Sequence, residues 1–248
     1  MPRPYALQVT SNPTKVSETL WTQWYTKEHI RDLVYSSVSK TSAVYRASSE
    51  TIASSQEASN ATANHTTFLA LYQSTAPHVL EACAASDLKC KVRIHSELFG
   101  DGRTCYDVGM FRPRDLQLVE ILGSYEHRED VAPYVLHHRI SGEEIENKIQ
   151  FDHVNAVAKL AGYRRTLLYR PIKSDGPGGG GGDGGEIYVI LVHEFDEAID
   201  GHELPAVKRD LEVIEPTKGC QFALRAYQLI ESEGFGGNCR MPERMEAP

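Results

Sequence analysis

Two short segments of this 248-residue sequence recur at one fixed distance. Glu28-His29-Ile30 and Val44-Tyr45-Arg46 in the first half correspond to Asp152-His153-Val154 and Leu168-Tyr169-Arg170 in the second, each 124 positions further on. Because 124 is half of the chain length, the spacing indicates a tandem duplication. We therefore predict two similar units, residues 1–113 and residues 114–248.

Both units are predicted to follow the order strand–helix–strand–strand–helix–strand, which is the order of the ferredoxin-like fold. In the first unit the predicted elements are Tyr5–Thr10, Ser17–Ser39 (helix), Ser42–Ala47, Thr66–Tyr72, Ala76–Ala85 (helix) and Thr104–Arg112. In the second they are Leu116–Tyr125, Glu143–Ala161 (helix), Arg164–Pro171, Glu186–Phe195, Leu204–Leu211 (helix) and Cys220–Ile230.

The third predicted strand of each unit is apolar on both faces, at residues 66–72 and 187–192. A strand with this pattern is covered on both sides of its sheet. The helices of the unit would cover one side and the sheet of the other unit the second side. The predicted fold class is therefore α+β, with two ferredoxin-like repeats forming an α+β barrel within one chain. The assembly expected is a monomeric pseudo-dimer or a homodimer.

Charge and composition exclude several classes of partner. The formal net charge is −8, and the 26 Lys and Arg residues are scattered, which is untypical of nucleic-acid or anionic membrane surfaces. No apolar run approaches the ~20 residues of a membrane span. The five cysteines include no C-x-x-C pair, and the sequence begins without a secretory signal pattern. We expect a cytoplasmic protein whose partner is a small molecule.

The first predicted helix carries a recognisable pattern. Trp21-Thr22-Gln23-Trp24-Tyr25 is followed by Glu28-His29-Ile30-Arg31-Asp32-Leu33, and Tyr45-Arg46 ends the next strand. This pattern resembles the EthD family of the dimeric α+β barrel superfamily, in the tandem form found in fungal proteins. The family has proline where this chain has Arg31.

The resemblance implies a ligand cavity between helices and sheet, and neither a metal nor an organic cofactor. Members of the superfamily include cofactor-free cyclases, dehydratases, decarboxylases and monooxygenases, and many fungal relatives look like accessory enzymes of natural-product pathways. The resemblance therefore implies a role in secondary metabolism, with an aromatic or polyketide-like ligand.

The recurring acid–histidine pairs are candidate catalytic groups, Glu28 with His29 and Asp152 with His153. A carboxylate that orients an imidazole supports general acid–base catalysis near neutral pH. A structural role is the alternative, because an active site rarely needs two identical copies. In that case Arg46 and Arg170, eighteen residues after each acid, would be buried ion-pair partners.

Features found in only one unit suggest a ligand site in the first half. At 100° per residue, Leu20, Trp21, Trp24, Tyr35 and Val38 form one helical stripe with Glu28 in its middle and Tyr25 at its edge. Trp21, Trp24 and Tyr25 are candidates for a wall that binds a flat ligand, or for simple core packing. Tyr106 and Arg112, on one face of the last strand, are further substrate-binding candidates, and His65 is a further catalytic one.

The remaining histidines do not predict a metal site. His137-His138, His193-Glu194 and His202-Glu203 lack the H-E-x-x-H spacing, and we expect them to be solvated or in loops. The leading functional hypothesis is a cofactor-independent cyclase, dehydratase or decarboxylase. A non-catalytic binding or accessory protein and a cofactor-free monooxygenase are the alternatives.

Overall fold

A computed structural model describes residues 3–53, 66–79, 96–100, 102–123, 130–141, 147–172, 188–214 and 221–234. Its strands are β1 (Tyr5–Pro13), β2 (Thr41–Ala53), β3 (Phe68–Ser74), β4 (Gly109–Gly123), β5 (Tyr134–Ser141), β6 (Tyr163–Pro171), β7 (Tyr188–Phe195) and β8 (Gln221–Glu233). Its helices are α1 (Glu18–Trp24), a π-helical turn (Tyr25–His29), α2 (Ile30–Tyr35), a 3₁₀ turn (Glu97–Phe99), α3 (Cys105–Val108), α4 (Asn147–Val157) and α5 (Leu204–Ile214).

The eight strands form one closed antiparallel barrel in the order β1-β3-β2-β8-β5-β7-β6-β4, and β4 pairs with β1 to close it. The predicted α+β class and the barrel are therefore confirmed. Within the circle, β4-β1-β3-β2 and β8-β5-β7-β6 are contiguous and follow the same order. The two groups meet at the β2–β8 and β4–β6 pairs.

Apolar side chains fill the barrel lumen and the layers between the sheet and the helices. The barrel lumen combines residues of both halves, such as Ala6, Leu69, Val135 and Ile190. A second layer lies between β1, β3 and the helices α1 and α2, and a third lies under α4 and α5. Because strand side chains alternate between faces, β3 and β7 supply both the lumen and a helix layer. The predicted two-sided burial of these strands is confirmed.

The first helix begins where the predicted helix does, at Ser17, whose hydroxyl caps it by accepting a hydrogen bond from the Leu20 amide at 3.2 Å. Sequence reasoning missed its π-helical turn. A π turn holds an extra residue, which rotates the following residues relative to a regular helix. Ile30 and Leu33 are consequently buried, whereas Tyr35, predicted on the buried stripe, is 75% exposed.

The segment between residues 104 and 125 differs from its prediction. A capping box from Thr104 to Asp107 begins α3, where a strand was expected. The strands predicted at Thr104–Arg112 and Leu116–Tyr125 are instead one strand, β4, which crosses residue 113. The first strand of the second half is β5, which lies outside every predicted element.

The remaining predicted elements lie close to the observed ones. Gly162, at φ +71°, ends the turn after α4, as expected of a residue that adopts the left-handed conformation easily. The helix predicted at Ala76–Ala85 lies almost entirely outside the described residues. Among the described residues, no helix has the length and apolar character of a membrane span.

Candidate functional site

The aromatic residues of the first helix form the centre of the first-half layer. Trp21, Trp24 and Tyr25 are completely buried. The ring centroids of Trp21 and Trp24 lie 5.2 Å apart, and those of Trp24 and Tyr25 lie 4.8 Å apart. Phe99 and Phe111 also pack on both tryptophans. These rings belong to the packed core, and their role toward a ligand stays a prediction.

His29 lies at the end of the π turn and stacks on Trp24. Their centroids are 4.3 Å apart, and the edge of Tyr72 approaches the imidazole at 5.9 Å. Burial lowers the pKa of His29 to about 4, although the nearby carboxylate of Asp32 acts in the opposite direction. The imidazole is therefore neutral at pH 7.

In the Glu28-His29 motif, one side-chain atom of each residue is buried without a hydrogen bond among the described residues. Nδ1 of His29 and Oε2 of Glu28 are inaccessible to solvent, and neither has a hydrogen bond within the described part of the chain. Both residues are otherwise half-buried. An unsatisfied buried polar atom is unusual in a folded protein, so these two are the best-placed candidates to contact a ligand.

The predicted ion pairs of the acid–histidine motif are wrong. Arg46 pairs with Glu18, at 2.6 Å between Nε and Oε1, and not with Glu28. Arg170 is exposed, so it does not form the buried pair predicted for Asp152. The structural alternative for the motif therefore loses its proposed partners.

Tyr25 is hydrogen-bonded to Ser11 at 3.0 Å between the two hydroxyl oxygens. Burial raises the pKa of this phenol well above its usual value, so the hydroxyl stays neutral. Cys105 also borders this layer, and burial raises the pKa of its thiol to about 12. A thiol with such a pKa is a poor nucleophile.

The other first-half candidates lie apart. Tyr106 is in α3, not on the strand of Arg112 as predicted, and 66% of it is exposed. Its ring packs on the outer edge of Phe111, with centroids 5.3 Å apart. Arg112 is half-buried on β4, and His65 lies outside the described residues.

In the second half, three buried histidines form a hydrogen-bonded chain. Nδ1 of His153 lies 3.3 Å from Nε2 of His138, and Nδ1 of His138 lies 3.5 Å from Nε2 of His193. Nδ1 of His193 lies 2.7 Å from the hydroxyl of Thr166. The prediction that His138 and His193 are solvated is wrong, because β5 and β7 bury both under α4. Asp152, the acid of this half, is half-buried.

The chain continues from Thr166 to Tyr163, at 2.8 Å between the hydroxyl oxygens, and ends at the carbonyl of Leu122. A carbonyl only accepts, so the Tyr163 hydroxyl donates to it at 3.4 Å. All donors in the chain then point from His153 toward Leu122. Each hydrogen bond has one donor and one acceptor when each histidine is neutral and protonated on Nδ1. Burial lowers the pKa of His153 to about 4 and that of His193 to about 3, and that of His138 also lies well below its usual value.

Strand register relates the two layers residue by residue. Leu7 pairs with Tyr72 in the first half, and Leu136 pairs with His193 in the second. Val9 follows Leu7 by two residues on β1, and His138 follows Leu136 by two residues on β5. Val9 and His138 therefore occupy equivalent positions in the two halves. The two strand positions near the motif histidine are thus tyrosine and valine in the first half and two histidines in the second.

This histidine chain was missed because β5 was not recognised as a strand. On β5, His138 shares a face with Leu136 and Ile140, which is the alternation expected of a buried residue. Within the described residues, no group of three or more His, Cys, Asp or Glu side chains is arranged to hold a metal ion.

No family profile matches this chain, and no curated protein matches it in sequence. Solved structures match its fold. An anthrone oxidase-like protein is 14% identical with a TM-score of 0.51, and the match covers 94% of each chain. A protein proposed to be a monooxygenase, from Fusobacterium nucleatum, is 10% identical with a TM-score of 0.48, over 94% of this chain and 95% of the other. A dye-decolorizing peroxidase from Bacteroides thetaiotaomicron is 8% identical with a TM-score of 0.48, over 92% and 94% of the two chains. At these identities the likeness extends to the fold alone.

Proposed function

We propose that the protein is a cofactor-independent acid–base enzyme that acts on a small aromatic or polyketide-like molecule, with His29 as the proton-transfer group. The buried, unpartnered Nδ1 of His29 carries this proposal. A neutral imidazole with a vacant nitrogen in an apolar setting is able to accept a proton from a ligand. No charged group of the protein has to be displaced for this to happen.

We place the ligand against His29 and Glu28, with the aromatic residues behind them. One face of Trp24 is covered by His29, so the imidazole and not the indole is the surface offered to the ligand. A flat, partly conjugated ligand suits this edge of the aromatic layer. Glu28 contributes a second acceptor beside the imidazole.

The chemistry that fits this arrangement is removal of a proton next to a ligand carbonyl. The proton moves to the imidazole and the electron pair of the C–H bond moves onto the carbonyl oxygen, giving an enolate. The resulting imidazolium returns its proton to a leaving hydroxyl in a dehydration, or to the alkoxide oxygen that forms when the enolate carbon attacks a second carbonyl in a cyclisation. In a decarboxylation the imidazole instead takes the proton of the carboxylic acid; the C–C bond to the carboxylate breaks, CO2 leaves, its electron pair gives the enolate, and the imidazolium returns the proton to the enolate carbon. Such proton transfers contribute about 10²–10⁴ to a rate.

The fold interpretation that accompanies this proposal is a tandem pair of ferredoxin-like repeats, in an EthD-like protein of secondary metabolism. The matching strand order of the two halves supports the repeat. One half alone would expose the lumen face of its sheet, so we expect neither 1–113 nor 114–248 to be a stable monomer. Sedimentation of each half expressed alone tests this expectation.

The complete burial of Trp21, Trp24 and Tyr25 favours a second candidate, a non-catalytic binding protein. In that case His29 and Glu28 only hydrogen-bond a ligand. Anthrone is a useful additional probe, since its oxidation consumes oxygen and would identify the monooxygenase alternative.

The test uses 5-nitrobenzisoxazole, a flat aromatic compound whose ring opens when a base removes one carbon-bound proton. We expect His29→Ala to lower the turnover of this probe by about 10²–10⁴. His153→Ala is the matched control, because Nδ1 of His153 is occupied by His138, and it should affect turnover far less.

Melting temperature is measured for both variants beside turnover. Equal kinetic losses at the two positions would contradict the assignment to the first half. Similar losses of melting temperature with unchanged turnover per folded molecule would make the motif structural. Binding of the probe without ring opening by the wild type would favour the binding protein.

A further inference from the structure

The histidine chain of the second half connects a helix to the sheet beneath it. His153 lies on α4, His138 on β5 and His193 on β7, and the next member, Thr166, lies on β6. All four residues are completely buried. One hydrogen-bonded path therefore runs from the helix into three strands of the barrel.

The helix and the strands of this layer are attached in different ways. Strand β5 pairs with β7 and β8, and β7 pairs with β5 and β6, so a ladder of hydrogen bonds holds each strand on both sides. Helix α4 packs apolar side chains on the sheet, including Val154, Ala156 and Val157, and the bond of His153 joins it to β5. It is therefore the element of this layer that can leave without breaking a ladder.

The number of protons that the intact chain can hold follows from its hydrogen bonds. There are four places for a proton: one in each link between two imidazoles, one on Nδ1 of His193 facing Thr166, and one on Nε2 of His153. Three neutral imidazoles fill three of these places, and one added proton fills the fourth. A second added proton would put two hydrogens into one link, which breaks it.

The surroundings of the chain favour its uncharged form. Within the described residues, the titratable groups that act on it are Asp152 on α4, His137 on β5 and Tyr163 on β6. Asp152 favours a proton on His153, whereas His137 opposes protonation of the other two imidazoles. The buried residues of α5 and β8 in this layer are apolar. Because burial lowers the pKa of all three histidines, the closed chain has no added proton at pH 7.

We propose that the histidine chain is an acid-released latch, which holds α4 on the sheet at neutral pH and releases it when more than one proton has to be accepted. When α4 leaves the sheet, water reaches the three imidazoles, and each takes up a proton below its ordinary pKa near 6.5. The closed form takes up at most one proton. Acid therefore favours the open form, because the state that binds more protons gains stability as the pH falls. This inference does not depend on the function proposed for His29.

Hydrogen exchange of the full chain, followed by mass spectrometry, measures the opening of α4 between pH 5.5 and 4.5. After correction for the intrinsic exchange rate, the opening constant should rise about 100- to 1000-fold per pH unit, tenfold for each of the two or three protons taken up. The amides of β5 and β7 should stay protected to a lower pH than those of α4. A rise of only tenfold, or simultaneous loss of protection in α4 and β5, would overturn the latch.

The variant His153→Gln tests the residue that joins α4 to the chain. The glutamine amide can still donate a hydrogen bond to Nε2 of His138, but it does not titrate, so opening takes up one proton fewer. The rise of the opening constant per pH unit should therefore be about tenfold smaller. His29→Gln is the matched control, because it makes the same change at the equivalent position of the first half, and it should leave the opening of α4 unchanged. The same pH dependence in wild type and His153→Gln would contradict the proposal.

A second measurement uses the wild type and so does not depend on how a variant folds. The ring signals of His153, His138 and His193 in nuclear magnetic resonance report when each imidazole is protonated. If the release of α4 protonates all three, they should share one midpoint, which coincides with the loss of protection of α4. Separate midpoints with α4 still protected would show that the closed layer accepts the protons, and the latch would be wrong.

Discussion

The two helix layers place the same histidine in opposite surroundings. His29 packs between the rings of Trp24 and Tyr72, and its Nδ1 has no hydrogen bond among the described residues. His153 also stacks on a ring, with centroids 4.9 Å apart, but that ring is His138 and the two are hydrogen-bonded. Equivalent positions therefore give one imidazole a free bonding capacity and fix the other in a chain.

This difference shows how the neighbours of a repeated motif decide its role. Two exchanges, Val9 for His138 and Tyr72 for His193, distinguish the first half from the second, where the histidine chain forms. In the second half the chain orients three imidazoles through hydrogen bonds between them. In the first half Nδ1 of the imidazole has no hydrogen bond among the described residues, which supports the candidate chemical role proposed for His29.

The largest predicted effect of this difference is on acid stability. In the unfolded chain a histidine has a pKa near 6.5, whereas His153 and His193 have values of about 4 and 3 when folded. Between pH 6.5 and 4 the unfolded chain thus binds more protons, and the free energy of unfolding falls as the pH falls. The expected loss of unfolding free energy is about 3 kcal/mol for His153 and about 5 kcal/mol for His193. It begins as the pH falls below 6.5 and is complete near the pKa of the folded state.

Hydrogen exchange followed by mass spectrometry locates this loss. The second-half layer has three such histidines and the first has one, so α4, β5 and β7 should lose protection at a higher pH than α1 and β1. His202→Ala, which removes an exposed histidine, is the control and should leave the profile unchanged. Loss of protection at the same pH in both halves would contradict the comparison.

A smaller effect is expected when the second half is made to resemble the first. His138→Val removes the middle of the chain and leaves Nδ1 of His153 and Nε2 of His193 without that bond. Each buried polar group that loses its partner costs about 1–3 kcal/mol, so we expect a loss of that size in urea unfolding at pH 7.

The same variant should be less sensitive to acid, because one buried imidazole fewer has to be protonated on unfolding. Val9→Ala removes apolar atoms at the equivalent position of the first half. It should lower stability at every pH without changing the pH dependence. A more stable His138→Val protein at pH 7 would mean that the chain destabilises the fold.

Much of the fold was predictable from local pattern. The repeat at Glu28-His29 and Asp152-His153 located the two equivalent helices, and the apolar runs of β3 and β7 predicted a sheet covered on both sides. Strand β5 was not predictable in this way, because its inward face carries His137 and Arg139. The alternation of its side chains between the two faces is visible only once these polar residues are known to face the lumen. Likewise, nothing in the periodicity signals that β4 continues past residue 113.

The candidate site was predictable in composition but not in geometry. Sequence reasoning selected Trp24, Glu28 and His29, yet a regular helix of 100° per residue places Tyr35 on their stripe. The π turn changes which residues after it lie on the buried face of the helix. Its formation depends on the tertiary packing of Trp24 and Tyr25, which local sequence rules do not describe. The histidine chain depends on contacts between β5, β7 and α4, which are distant in sequence, so spacing alone did not reveal it.

The smallest predicted effect concerns the hydroxyl of Tyr25, which is buried and bonded to Ser11 in the first-half layer. Tyr25→Phe should lower the free energy of unfolding by about 1 kcal/mol, the net contribution of one buried hydrogen bond. Ser11→Ala should cost a similar amount, and a double-mutant cycle in urea should give a coupling of about 1 kcal/mol. Neither variant should change the acid profile, since burial raises the pKa of the phenol and keeps it neutral from pH 4 to 8. An altered acid profile would show that the first-half layer contains a titrating network after all, which would remove its contrast with the histidine chain.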